Sequence, residues 1–188
     1  MADFSQWYQP VSPEVKTRVE KIKLLICDID GVFSNGTIFL GNDGEELKGF
    51  NTKDGYGLRQ FMRAGFDIAI ITGRTSNIVK NRMKGLGVEH IYQGMEDKIT
   101  GFKQLLQDFE LTATEVAYIG DDFPDVPVMR EVGLAVAPAD GHPYVRSIAH
   151  YVTTLGGGKG SVRELCDLIL LQQKGSEYLL SNFEGKSQ

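Results

Sequence analysis

Apolar residues recur along this chain in short unbroken runs. Leu24–Cys27, Ile68–Ile71, Val116–Ile119 and Leu134–Val136 are each apolar throughout. Such runs predict strands covered on both faces, as in a parallel sheet, whereas a half-exposed strand alternates apolar with polar positions. His90–Tyr92 and His150–Val152 read as shorter strands of the same kind. Between the runs the spacing becomes helical: Ile99, Phe102, Leu105, Leu106 and Phe109 share one face of a helix predicted over Asp97–Phe109. Further helices are predicted from Ser12–Pro13 to about Glu20, from Asp54 as N-cap to about Arg63, and from Ser76 to Leu86. Others follow at about Phe123–Glu131, after Pro143, and from Ser161 to about Gln173.

Strands alternating with helices imply right-handed crossovers and an α/β fold, a doubly wound, mostly parallel sheet with helices on both faces. One stretch departs from the alternation. Thr37–Leu40 and Glu45–Phe50 flank the turn formers Gly41-Asn42-Asp43-Gly44, which predicts a β-hairpin projecting beyond the sheet. No repeat or linker divides the chain, so a single domain over 1–188 is expected, with its core at about 22–173 and a tail at 174–188. The tail is polar apart from Tyr178, Leu179, Leu180 and Phe183, and reads either as a frayed end or as a segment docked on a neighbour. The run Gly156–Gly160 lacks the P-loop pattern and reads as a mobile hinge before the last helix.

Composition narrows the possible partners. The 188 residues are 41% apolar, enough for a real core, and carry a net charge of -5 with a pI near 5.2. That balance argues against a nucleic-acid partner or an anionic membrane, which call for a basic patch. Cys27 and Cys166 have no metal-spaced partner and read as small buried apolar residues of a reducing compartment. The chain shows neither a signal-peptide pattern nor an apolar run of membrane-spanning length, so a soluble cytoplasmic protein is expected.

The candidate chemistry lies at the strand tips. Three predicted strands end in polar groups: Asp28 with Asp30, Thr72, and Asp121 with Asp122. Ligands of doubly wound sheets bind outside the carboxyl ends of the strands, so one site can collect them all, with Lys98 as its cation. Asp28 and Asp30 leave the same side of an extended backbone and repel each other, a cost that a metal, catalysis or both would answer. Taken singly, each residue has an ordinary use: acids cap loops and helices, a threonine suits a turn, and a lysine in a first helical turn is usually solvated. His90, His142 and His150 lack ligand-spaced partners and read as structural.

In chain order the motifs are Asp28-Ile29-Asp30-Gly31-Val32, Ile71-Thr72-Gly73-Arg74, Lys98 and Gly120-Asp121-Asp122-Phe123-Pro124-Asp125. This set resembles the haloacid dehalogenase superfamily of phosphohydrolases, and the resemblance spans about residues 22–170. It implies a Rossmann-like sheet of that type, with Asp28 as nucleophile forming an aspartyl-phosphate and Asp30 as acid and base. It also implies Thr72 and Lys98 on the phosphoryl group, and magnesium held by Asp28, the backbone carbonyl of Asp30 and Asp121, with Asp122 or Asp125 behind. Those residue types suit the reaction, because an anionic phosphate ester repels nucleophiles and catalysis consists of positioning and charge neutralisation. The intervals between motifs leave no room for a cap domain, and the hairpin is then a candidate for pairing between chains.

A closer resemblance is carried by Gly41–Lys48, Phe50–Gly57, Ile71–Arg74 and Gly120–Asp122. These segments look like the 3-deoxy-D-manno-octulosonate 8-phosphate phosphatases, homotetrameric enzymes of lipopolysaccharide sugar synthesis. Their sugar phosphate is an eight-carbon 2-keto acid with a carboxylate at one end and a phosphate at the other. The resemblance implies cations for the carboxylate, with Arg74 first and Arg59 and Arg82 as further candidates, because guanidinium grips carboxylates bidentately. It implies Asn51, Thr52, Lys53, Asp54 and Gly55 around the sugar hydroxyls, and Asp30 and Lys98 against the substrate as well. Two alternatives stay open: a phosphatase of a nine-carbon keto-sugar phosphate, and an aspartyl-phosphate receiver for signalling, a class that lacks the acid two residues after its phospho-acceptor.

Overall fold

The computed structural model describes residues 4–184, with side chains through residue 180. The N-terminal part comprises α1 (Phe4–Trp7), α2 (Pro13–Val19), β1 (Leu24–Cys27), β2 (Phe39–Leu40), β3 (Glu46–Leu47) and α3 (Thr52–Arg63). Then come β4 (Asp67–Ile71), α4 (Asn77–Leu86), β5 (His90–Tyr92), α5 (Lys98–Asp108), β6 (Val116–Ile119) and α6 (Val126–Met129). The chain continues through β7 (Leu134–Ala137), α7 (Pro143–Ile148), β8 (Tyr151–Val152), α8 (Ser161–Lys174) and α9 (Ser176–Glu184).

Six strands form one parallel sheet in the order β5-β4-β1-β6-β7-β8, the doubly wound arrangement expected from the apolar runs. Central β1 is buried at every position. Its period of two sends Leu25 and Cys27 into a core shared with α2, α3, α4 and α8, and Leu24 and Ile26 into a second core beneath α5, α6 and α7. The winding direction reverses between β1 and β6, which opens a crevice at their carboxyl ends. Both cysteines are buried and free. No described helix is long and apolar enough to cross a membrane.

Three local expectations are corrected. Asn51, not Asp54, caps α3, accepting from the Lys53 amide at 2.9 Å. Asp54 lies one turn before Leu58 on the buried stripe of the helix, so its carboxylate is carried into the protein. There its Oδ1 accepts from the Arg163 amide at 2.8 Å, in the first turn of α8. The glycine run at 156–160 is not a hinge: Gly158 donates its amide to the Val32 carbonyl at 2.9 Å, and Asn51 Nδ2 donates to the Gly158 carbonyl at 3.3 Å. The expected tail is largely helical, with Leu179 of α9 buried against the core, while the side chain of Phe183 lies outside the described residues.

The hairpin forms, with strands shorter than expected. Phe39 pairs with Leu47 and Leu40 with Glu46, and Gly44 takes a φ of +84° in the turn. Phe39, Leu40 and Leu47 are 62%, 71% and 56% exposed.

Candidate active site

Each candidate motif continues a strand by one or two residues. The Asp28 amide extends the ladder to the Ile119 carbonyl at 3.1 Å, the Thr72 amide reaches the Tyr92 carbonyl at 2.9 Å, and the Gly120 amide reaches the Val136 carbonyl at 3.2 Å. The sheet itself therefore fixes the positions of Asp28, Thr72 and Asp121. They line one cavity of about 310 Å³, together with Asp30, Arg74, Lys98 and Asp125. A hollow of about 330 Å³ between the N-terminal segment and α8 has Lys16 as its only charged lining residue, so chemistry and not volume singles out the crevice.

Lys98 enters the crevice from the start of α5. Its Nζ lies 2.9 Å from Asp28 Oδ1 and 2.7 Å from Asp125 Oδ1, with all three residues buried. Burial alone would lower the ammonium's proton affinity, but the two carboxylates outweigh it and raise it. Asp125 is fully engaged: Oδ1 also accepts from Tyr118 Oη, and Oδ2 accepts from the amides of Asp121 and Asp122 at 3.0 and 3.2 Å. Gly120 makes room for it, since a Cβ there would sit 2.3 Å from the Asp125 carboxyl carbon. Asp28 differs. Its buried Oδ1 is met by the Lys98 ammonium at 2.9 Å, and no other donor among the described residues reaches it.

The acids hold unbalanced negative charge. Burial, then the Asp125 carboxylate, pushes Asp28 up to about 6 against the pull of Lys98. Burial and the neighbouring charges of Asp28, Asp125 and Asp122 push Asp121 up to about 8. Oxygens of Asp28, Asp121 and Asp125 lie within 4.8 Å of one another. Three carboxylates so close, two of them with raised proton affinity and offering hard oxygen donors only, fit a divalent cation such as magnesium.

Asp30 faces the other side of the crevice. Lys48 from β3's far end donates to both of its oxygens, at 2.7 and 2.8 Å, through a fully buried side chain, and Arg74 Nε stands 3.8 Å away. The remaining candidates are not brought together with this cluster. Asn51 is occupied as a helix cap, and Lys53 lines a separate hollow with Trp7 and Arg163. Thr52 is exposed and lines none of these cavities. Asp54 and Gly55 are buried beneath α4 and α8, where the Arg82 guanidinium would meet a Cβ on Gly55 at 2.7 Å. Arg82 is thus wedged between helices, its Nε buried and without a partner, outside the crevice lining. Arg59 donates to the Gly85 carbonyl at the far end of α4, away from the strand tips.

Lys48 and Tyr118 escaped the sequence reading. Only Asp125, four residues past Asp121, had a local signal. Lys48 meets Asp30 only because the hairpin folds back, and Tyr118 reads as one more apolar strand residue until Asp125 is placed beneath it.

Known proteins resemble the chain over most of its length. Residues 90–156, which include Lys98, Asp121 and Asp125, match the family model of haloacid dehalogenase-like hydrolases. The 3-deoxy-D-manno-octulosonate 8-phosphate phosphatase of Yersinia pestis is 52% identical over 88% of this chain and 89% of its own. That of Salmonella typhimurium is 51% identical over 92% of both chains. The Yersinia pestis crystal structure superposes with a TM-score of 0.89, covering 91% of this chain and 92% of that one. The Moraxella catarrhalis phosphatase, solved with a magnesium ion, a phosphate ion and 3-deoxy-D-manno-octulosonate (KDO), gives 0.88 at 39% identity, over 90% of this chain and 98% of that one. Identity of about half over some nine-tenths of the chain means that it belongs to the 3-deoxy-D-manno-octulosonate 8-phosphate phosphatase family of haloacid dehalogenase-like hydrolases.

Proposed function

We propose that the protein is a phosphatase that removes phosphate from 3-deoxy-D-manno-octulosonate 8-phosphate through an aspartyl-phosphate on Asp28. The observation that carries this reading is the buried Asp28 carboxylate at the tip of β1, paired with Lys98 at 2.9 Å and grouped with the oxygens of Asp121 and Asp125. Asp28 attacks phosphorus; the bond to the sugar oxygen breaks, and Asp30 gives that oxygen a proton. Asp30 then takes a proton from a water that attacks the aspartyl-phosphate, so inorganic phosphate leaves and Asp28 is restored. Thr72 and Lys98 hold the phosphoryl oxygens. Asp28, the backbone carbonyl of Asp30 and Asp121 would hold magnesium, with Asp125 orienting Lys98 and the 121–122 backbone behind them. The cation, when bound, neutralises charge on the transferring group.

At the crevice wall Arg74 is the cation suited to the substrate's carboxylate end. The exposed apolar strands of the hairpin support assembly of several chains, and we assign the protein to homotetramers in the cytoplasm. Asp30, which receiver domains lack, favours turnover over storage of the phosphoryl group; a phospho-enzyme persisting for minutes would reverse that preference. Replacement Asp28→Asn should reduce phosphate release from 3-deoxy-D-manno-octulosonate 8-phosphate at saturating magnesium by about 10³-fold or more, with the fold intact by circular dichroism. A variant retaining most of the activity would remove Asp28 from the nucleophile's role.

A further inference from the structure

The glycine run that precedes α8 is seated on the loop that follows Asp28. A Cβ on Gly157 would lie 1.9 Å from the Gly31 carbonyl oxygen and 3.0 Å from that of Ser34, so the two backbones touch. Gly31 is pressed from its other side by Asp121, whose Oδ2 would be 2.0 Å from a Cβ on Gly31. Asp140, just past the tip of β7, accepts from the Gly157 amide at 2.8 Å. Two residues on, the His142 amide donates to the Asp121 carbonyl at 2.8 Å. The contacts thus close a ring that runs from Asp121 to Gly31, Gly157, Asp140, His142 and back to Asp121. Ser161 Oγ adds a tie to the Val32 carbonyl at 3.3 Å.

We infer that Asp140 and Gly157 are positioning residues that clasp the Asp28–Ser34 loop against the Asp121 loop, and so set the spacing of the oxygens that receive the divalent cation. The inference rests on the proposed metal site and deepens it. Magnesium demands oxygen ligands at about 2.0–2.1 Å in near-ideal geometry, so a loop that relaxes by a fraction of an ångström loses affinity. Glycine is needed at 157 because any side chain would drive the two loops apart, and Asp140 is needed because the Gly157 amide is otherwise unanchored. The carboxylate acts through its oxygen as an acceptor; its charge is not what the clasp uses.

The test is magnesium binding by calorimetry without substrate, with manganese binding by electron paramagnetic resonance as a second readout. Asp140→Ala should weaken binding by about 10-fold or more, the range for groups that orient metal ligands. Asp140→Asn, whose amide oxygen can still accept from Gly157, should stay within about threefold of the parent protein. Unchanged affinity in Asp140→Ala overturns the inference, and so does equal weakening in Ala and Asn, which would mark a long-range charge effect. If Asp140→Ala lacks a native near-ultraviolet circular dichroism spectrum, Ser161→Ala decides: weakening of about 10-fold supports the clasp, and affinity within about threefold of the parent overturns it. A parent protein that binds magnesium but hydrolyses no phosphomonoester would refute the proposed activity and leave the clasp standing.

Discussion

Asp28 and Asp121 are held in the crevice against their own electrostatics, and this has a measurable signature. A carboxyl whose proton affinity is raised by folding contributes stability as the neutral acid. That contribution is complete below the unfolded value near 3.8 and is lost as pH rises through about 6 for Asp28 and about 8 for Asp121. Without divalent cations the melting temperature should therefore fall between pH 4.5 and pH 8.5, by roughly 5 °C or more. Magnesium should restore it, and by more at pH 8 than at pH 5, because only the ionised acids bind the cation. An equal shift at both pH values in a thermal melt would contradict the assignment of Asp121. The acids themselves were legible in the sequence because each stands directly behind an apolar run. Their partners were not: nothing local joins Lys48 to Asp30 or Asp125 to Lys98, and only the folded chain brings these charges within 3 Å.

At the scale of elements, the hairpin carries three exposed apolar side chains on two short strands that pair with no other strand among the described residues. A two-stranded hairpin is marginally stable alone, so the tetramer proposal gives it a structural reason. Leu40→Glu combined with Leu47→Glu should shift the protein to smaller assemblies in sedimentation velocity and leave the sheet's far-ultraviolet circular dichroism unchanged. Retention of the parent sedimentation coefficient would remove the hairpin from the interface. The hairpin was readable from its turn residues, and the parallel strands from unbroken apolar runs. The 156–160 run was misread because glycine serves both freedom and close approach, and the second use depends on a neighbour distant in sequence, here Gly31. Asp54 was misread for a related reason. An acid near a helix start suits capping its own helix, yet Asp54 caps α8, more than a hundred residues later.

For the molecule as a whole, we propose that the chain folds as one domain. The first and last helices support this: α1, α2 and α9 all rest on α8 or on the core beneath it, and Tyr8 Oη donates to Asp167 at 2.9 Å. Unfolding in denaturant should then be a single transition. The fluorescence of Trp7, the sole tryptophan, should report the same midpoint as far-ultraviolet circular dichroism, and separated midpoints would divide the chain into independent units. The central place of β1 has a temporal consequence. It pairs from Leu24 with Asp67 on one side and Val116 on the other, and the loop beyond it is seated on Gly157 and Gly158. Contacts so distant along the chain form slowly, after the local helices. A growing polypeptide thus displays Asp28, the proposed nucleophile, early in synthesis, yet assembles the surroundings of that residue only when residues near 160 have left the ribosome.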